Sequence, residues 1–434
     1  MELPVEVIDQ ILDDIIENEP AAPRLSRCAI FGAKWKFAVE ARTFQEIKIT
    51  NRYQDIQQFH AAFNTDKSRQ TIVKVINFDI ILPTYPKYRR HQAETVHEIR
   101  LNRTAFTSAI HRLFTTLGSW NHELPAQGND LRLCLNVYSP SDYVRCFGMQ
   151  ITQGWVYPRL DGKFLHLALC EFLRNPGARL LEAKSVTELE WDGRPLHPTA
   201  VGSILKALPQ LKDAFMYLTQ PANRLKVEKL QHRQALASSL VSLSLAHLTH
   251  LTLDYPQDYV SNHDFVPGSL CDPNGQDRLS LAIHTICQQS PIRQLVLGRD
   301  FNVSRELFFG RNDRLEVGEL WPSMEVVTIM ASVIAPDGGY FLTGTKPRGR
   351  PRYRTHGRPG RVRRLQNGQE PYNPWRNEID HEKVKPMMRA VTTAIFRMPR
   401  LEKADFSIGS FTVRLRYRNP GRKDGKANDE ETLI

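Results

Sequence analysis

Residues 278–297, RLSLAIHTICQQSPIRQLVL, run from an amphipathic helical stretch through a proline into a short apolar strand pattern. Arg278 to Gln289 carries apolar residues at helical spacing, and Pro291 cannot continue a helix. Ile292, Leu295 and Leu297 then follow as apolar-x-x-apolar-x-apolar. The six-residue pattern recurs at Val186/Leu189/Trp191, Leu211/Ala214/Met216, Leu248/Leu251/Leu253, Met324/Val327/Ile329 and Leu401/Ala404/Phe406. Helical stretches from Thr199 to Leu208, Leu225 to Leu240 and Val384 to Arg397 lie between copies, and Pro209, Pro322 and Pro399 mark further changes from helix to strand. The fold class this predicts is α/β, with strand and helix alternating along an array.

The pattern is that of a leucine-rich-repeat strand with a helix on its return leg. Its first positions, 186, 211, 248, 292, 324 and 401, are separated by steps of 25, 37, 44, 32 and 77 residues. A regular horseshoe keeps steps of about 20–29 residues, so the expected object is an irregular, leucine-rich-repeat-like α/β array over 186–434. Residues 46–185 are expected to continue it. Ile72 to Leu82 and Leu131 to Tyr138 read as strands, the second by alternation of Leu131, Leu133, Leu135 and Val137. Thr95 to Trp120 reads as a long helix with Phe106, Ala109, Ile110, Leu113, Phe114 and Leu117 on one face.

Ahead of the array, residues 4–16 read PVEVIDQILDDII, with Val7, Ile8, Ile11, Leu12, Ile15 and Ile16 in helical register. Pro4 suits a helix start. After Pro20 and Pro23, Leu25 to Phe31 and Ala33 to Phe44 form two more helical stretches, and Trp35, Ala38 and Val39 share a face. The run Leu3-Pro4-x-Glu6 into Ile8, Ile11 and Leu12, then Lys34-Trp35 and Thr43-Phe44-x-x-Ile47, resembles the F-box. That is a three-helix motif that docks on the Skp-type adaptor of a cullin-RING ubiquitin ligase. The resemblance implies a module over 1–45 with Leu3, Pro4, Ile8, Ile11 and Leu12 facing the adaptor, Glu6 among the adaptor-binding residues, and Trp35 locking the third helix to the others. Gly32 and Ala33 stand where the family tends to carry larger residues. Thr104-Ala105-Phe106, Val137 to Asp142, Trp321-Pro322, Ala335 to Gly338 and Arg397 to Leu401 are similar to stretches of a group of filamentous-fungal F-box proteins.

The formal net charge is +11, with 41% hydrophobic and 24% charged residues. Nine Lys or Arg and no acid fall within 346–364, which leaves +2 for everything else. The basicity therefore belongs to one segment, not to a broad phosphate-tracking surface. Residues 344–377, rich in Gly, Pro and Arg, are expected to be a disordered insertion, and the tail from about 419 likewise. Lys346, Arg348, Gly349, Arg350, Pro351 and Arg352 are similar to an AT-hook, whose Arg-Gly-Arg-Pro core lies in the minor groove of A·T-rich DNA. They are candidates for a DNA contact or an import signal.

The six cysteines include no C-x-x-C pair, so no zinc site, redox dithiol or other metal or cofactor is expected. No phosphate loop, nucleophile elbow, dinucleotide fingerprint or zincin pair is present, and no catalytic residue is assigned. Met1-Glu2-Leu3-Pro4 lacks the basic start and apolar run of a secretory signal, and no apolar stretch reaches membrane-spanning length. The expectation is a non-catalytic protein of cytoplasm or nucleus that receives substrate for an SCF-type ubiquitin ligase. Its partners would be the Skp-type adaptor with the cullin core and an unknown protein target. The alternatives are a chromatin-associated protein working through the basic loop and a scaffold without a ligase link.

Overall fold

In a computed structural model the chain is a mixed α/β protein whose strands are mostly parallel. The structure describes residues 3–18, 25–86, 88, 94–121, 130–142, 179–243, 245–310, 318–348, 361–409 and 413–419. Two compact units divide the chain. One comprises Met1–Arg90, Leu101–Val144 and Cys170–Gly193, the other His91–Arg100, Arg145–Leu169 and Arg194–Ile434.

The first unit opens with α1 (Val5–Asn18), α2 (Leu25–Cys28), a 3-10 turn (Ala29–Phe31) and α3 (Ala33–Thr43). It continues through β1 (Glu46–Thr50), α4 (Tyr53–Asn64), α5 (Lys67–Ile72), β2 (Val75–Ile81), α6 (Val96–Gly118), β3 (Leu131–Tyr138) and β4 (Val186–Gly193). Its four strands pair in chain order and all run parallel. The register aligns Ile49, Phe78, Leu135 and Trp191 as one buried row. The expected long helix and both expected strands are present, the first strand beginning at Val75 because α5 occupies the residues through Ile72. Helices α4 and α5 were not foreseen. Phe59 and Phe63 of α4 pack on Trp120 with tilted rings, centroids 5.6 and 5.8 Å apart. Gly193 ends β4 with φ 102°, and a Cβ there would stand 2.2 Å from the Val137 carbonyl oxygen, so only glycine fits.

The second unit holds α7 (Pro198–Lys206), β5 (Asp213–Tyr217), α8 (Lys226–Val241), β6 (His250–Asp254), α9 (Arg278–Gln289) and β7 (Gln294–Phe301). After these come α10 (Glu306–Phe309), β8 (Val326–Ala331), β9 (Leu342–Thr343), α11 (Arg361–Gln366), β10 (Glu378–Ile379), α12 (His381–Arg397), β11 (Lys403–Ile408) and β12 (Val413–Arg418). Its main strands follow the order β5-β6-β7-β8-β11-β12. All pair parallel except β12, which returns antiparallel on β11. Each of the six apolar triplets falls on a strand or at its entry, and Met216, Leu253, Leu297, Ile329 and Phe406 align as one buried row. The opposite positions of these strands are only half covered. The triplet marks the inward face because side chains alternate along a strand.

The expectation of a disordered stretch over 344–377 is corrected for its second half, because residues 361–377 are folded. Asn367, Glu370 and Asn373 are buried, and Asn367 Oδ1 accepts from the Arg224 amide at 3.0 Å. The amides of Trp375 and Arg376 both donate to His263 Nδ1, at 2.9 and 2.7 Å. The Arg376 guanidinium lies 4.5 Å from the Tyr340 ring and 4.2 Å from the Trp375 ring. These long-range contacts hold a polar segment that has too few apolar residues to announce itself as folded. Residues 349–360, with the centre of the basic run, lie outside the described residues, as does the tail from 420.

Candidate functional site

The three helices of residues 3–44 form a small bundle with its own core. Ile8 and Leu12 of α1 are 1% and 0% exposed and pack with Leu25, Ala38 and Val39. Ile15, Cys28, Ala29 and Trp35 close around them. The two small residues on α3 let α1 approach closely. Arg42 then clips the helices together. Its Nη1 donates to Asp9 Oδ1 at 2.7 Å, and its Nε and Nη2 donate to Asp13 Oδ1 at 3.0 and 2.8 Å. Burial works against the Arg42 charge, but the two carboxylates outweigh it and raise its pKa.

This geometry corrects part of the expected docking set. Ile8 and Leu12 do not face outward; their positions one turn apart lie on the stripe that meets α3. Ile11 is half-buried, while Leu3, Pro4 and Glu6 are exposed at the start of α1. Trp35 packs on the bundle core and meets Phe31 edge-on at 5.6 Å. Gly32 takes φ 147° between the 3-10 turn and α3, a conformation that side-chain-bearing residues rarely adopt, and its carbonyl accepts the first bond of α3 from Lys36 at 2.9 Å. The break before Trp35 thus has a conformational cause.

The outward apolar groups are a different set. Ile30 is 81% exposed, Phe31 67% and Phe37 55%, and Val5, Val7 and Ile16 of α1 join them. Sequence reasoning marked Trp35, Ala38 and Val39 as the shared face of the third helix and left Phe31 and Phe37 aside. These exposed side chains make the bundle a candidate docking surface. Behind it, Arg69 of α5 fastens α3 through Glu40 (Nη2 to Oε1 2.7 Å, Nε to Oε2 3.2 Å), so the bundle is continuous with the first unit.

Of the basic-loop residues, Lys346 and Arg348 are exposed, and Lys346 pairs with Asp264 at 3.0 Å. Gly349, Arg350, Pro351 and Arg352 lie outside the described residues.

A second constellation, not foreseen, sits near the carboxyl ends of the second unit's strands. Arg233 of α8 donates from Nε and Nη2 to the two oxygens of Asp277, at 2.8 and 2.7 Å, and from Nη2 to the Asn302 carbonyl at 2.7 Å. Asn302 continues the network to Gln257 (3.1 Å) and receives Gln220 (3.1 Å). Lys229 donates to Asn223 at 2.8 Å, and burial pulls its pKa down to about 7 while Asp258 pulls the other way. Arg233, Asp277 and Asn302 are fully enclosed, so the network cross-links elements of the second unit from inside. Asp277 alone had a local signal, since it stands immediately before α9 and caps it by accepting from the Leu279 amide. Among the described residues no group of His, Cys, Asp and Glu could hold a metal ion, and no helix is long and apolar enough to cross a membrane.

No family model matches the chain, and a search of curated proteins finds no match to it.

Proposed function

We propose that the chain is the substrate-receiving, non-catalytic subunit of an SCF-type cullin-RING ubiquitin ligase. In this reading residues 1–45 are an F-box-like module, and the strands behind it form an irregular leucine-rich-repeat-like array that holds a protein target. The observation that carries the reading is the surplus of apolar surface on a bundle already provided with a core, with Ile30, Phe31 and Phe37 outermost. A protein partner buries such a surface at the centre of an interface, where aromatic anchors supply most of the binding energy. The docking residues are accordingly Leu3, Val5, Val7, Ile30, Phe31 and Phe37, with Ile8 and Leu12 supporting them from inside.

The test is co-purification of the full chain with a Skp-type adaptor, beside the double variant Phe31→Ser with Phe37→Ser. Capture of the wild type and loss in the variant supports the reading, whereas failure of the wild type to capture the adaptor ends it. The nine cations of 346–364 favour one further reading, contact with A·T-rich duplex through the Arg348-Gly349-Arg350-Pro351 core. It predicts salt-sensitive duplex binding that Arg348→Ala with Arg350→Ala removes; binding unchanged in that double variant contradicts it.

A further inference from the structure

Strands β5 to β8 turn alternate side chains to the buried row and to the opposite, outward face. The outward positions are 213, 215 and 217 on β5, 250, 252 and 254 on β6, 294, 296 and 298 on β7, and 326, 328 and 330 on β8. No Lys or Arg stands at any of them, and their two acids are Asp213 and Asp254. His250 pairs with Asp213 across the strands. Val296 and Val326 are half-buried, while Tyr217 is 45% exposed and Met330 36%. In a chain of net charge +11, this face is apolar and acidic.

A half-covered sheet face needs no ligand in itself, but Asp254 sets this one apart. Its Oδ1 is buried without a hydrogen-bond partner, and among the described residues its carboxylate joins no ion pair. Gly298 of the neighbouring strand gives it room, because a Cβ there would stand 2.5 Å from that oxygen. A glycine inside a strand commonly marks a place where another group approaches closely. Burial pushes the Asp254 carboxyl up, Arg299 draws it down and Asp300 opposes Arg299. A half-desolvated carboxylate in no ion pair is stabilised by a cation that arrives from outside. Tyr217 lies opposite Asp254 in the β5–β6 register, and an exposed aromatic ring also favours a cation. A nucleic-acid backbone would meet carboxylates here and no cation, so the face suits a protein instead.

We propose that the outward face of β5 to β8 receives a protein segment that is both apolar and basic. A Lys or Arg of the segment reaches Asp254 beside Tyr217, and its apolar side chains cover Val296 and Met330. This rests on the reading of the strands as the part that holds a protein target, and it gives that target's chemical class. Adaptor capture involves none of these strands, so the ligase link and the target class can each fail alone.

The experiment measures fluorescence anisotropy of the full chain with a labelled Leu-Lys-Leu-Arg-Leu-Lys-Leu peptide, its counterpart with Glu at each basic position, and a single-stranded oligonucleotide. Non-specific attraction to a chain of net charge +11 favours the acidic peptide, so preference for the basic one reports a local acid. The basic peptide binds at least tenfold tighter than the acidic one. Asp254→Asn keeps the shape of the side chain and weakens binding about fivefold, and Asp254→Lys about tenfold. Met330→Lys, which puts a like charge on the face, also weakens it about tenfold. Val241→Lys adds the same charge at an exposed position of α8 and leaves binding within twofold. Thermal melting confirms that the variants are folded, and should Asp254→Lys be unfolded, Asp254→Asn and Met330→Lys still decide. No binding of the basic peptide, equal or tighter binding of the acidic one, or an oligonucleotide that outcompetes the basic peptide overturns the proposal. So do folded Asp254→Asn and Met330→Lys variants that bind as the wild type does.

Discussion

Asp277 accepts from Nε and Nη2 along one edge of the Arg233 guanidinium, from Ser280 Oγ at 2.5 Å and from the Leu279 amide at 3.2 Å, all within the protein interior. Deleting that carboxylate strands a buried guanidinium, so Asp277→Ala should cost about 3–5 kcal/mol in urea unfolding; a loss below 1 kcal/mol would contradict an enclosed pair. Lys229 makes a pH-dependent contribution of known sign. Burial lowers its folded pKa to about 7, whereas in the unfolded chain it titrates near 10.4. Between those values the unfolded chain binds the extra proton, so stability rises with pH, by up to about 1.4 kcal/mol per unit. Lys229→Met should flatten the stability slope between pH 7.5 and 9.5 relative to the wild type, and equal slopes would speak against a neutral buried lysine. Neither prediction was accessible from sequence. The partners Arg233 and Asp277 lie 44 positions apart, and only the fold brings them together.

At the level of elements, α1 is held to α3 by two means, a small apolar core and the Arg42 clip. The carboxylates of that clip are largely exposed, so Arg42→Ala should cost only about 1 kcal/mol. The loss should concentrate in α1, whose amides exchange roughly fivefold faster while those of β6 and β7 are unaffected. Uniform acceleration would mean that Arg42 supports the whole unit. The elements best announced by the sequence were those with strong apolar spacing, namely α1, α6, β3 and the six strands of the triplets. Helix α5 escaped because it spans only Lys67–Ile72, α4 because it buries only Ile56, Phe59 and Phe63, and the 361–377 segment because polar contacts hold it. The proposed docking face lies on helices that the sequence had marked, but its residues differ from those expected. Periodicity showed that Ile8, Leu12, Val7 and Ile16 share a helix. Which of them α3 would cover depended on Ala38 and Val39, small enough to take Ile8 and Leu12 inward.

For the whole molecule, the net charge of +11 resolves into one segment with nine cations and an otherwise nearly neutral chain. The exposed apolar groups on the first three helices are the feature on which the proposed receiving role rests. The claim on which this account turns is that the exposed apolar groups of the first three helices bind a Skp-type adaptor. Titration calorimetry of the full chain with purified adaptor tests it most directly, with Phe31→Ser/Phe37→Ser measured alongside and its melting temperature checked. Saturable one-to-one binding by the wild type, with a negative heat-capacity change and at least a tenfold loss of affinity in the equally stable variant, is the predicted result. No heat of binding from the folded wild type, or equal affinity in the two proteins, would contradict it.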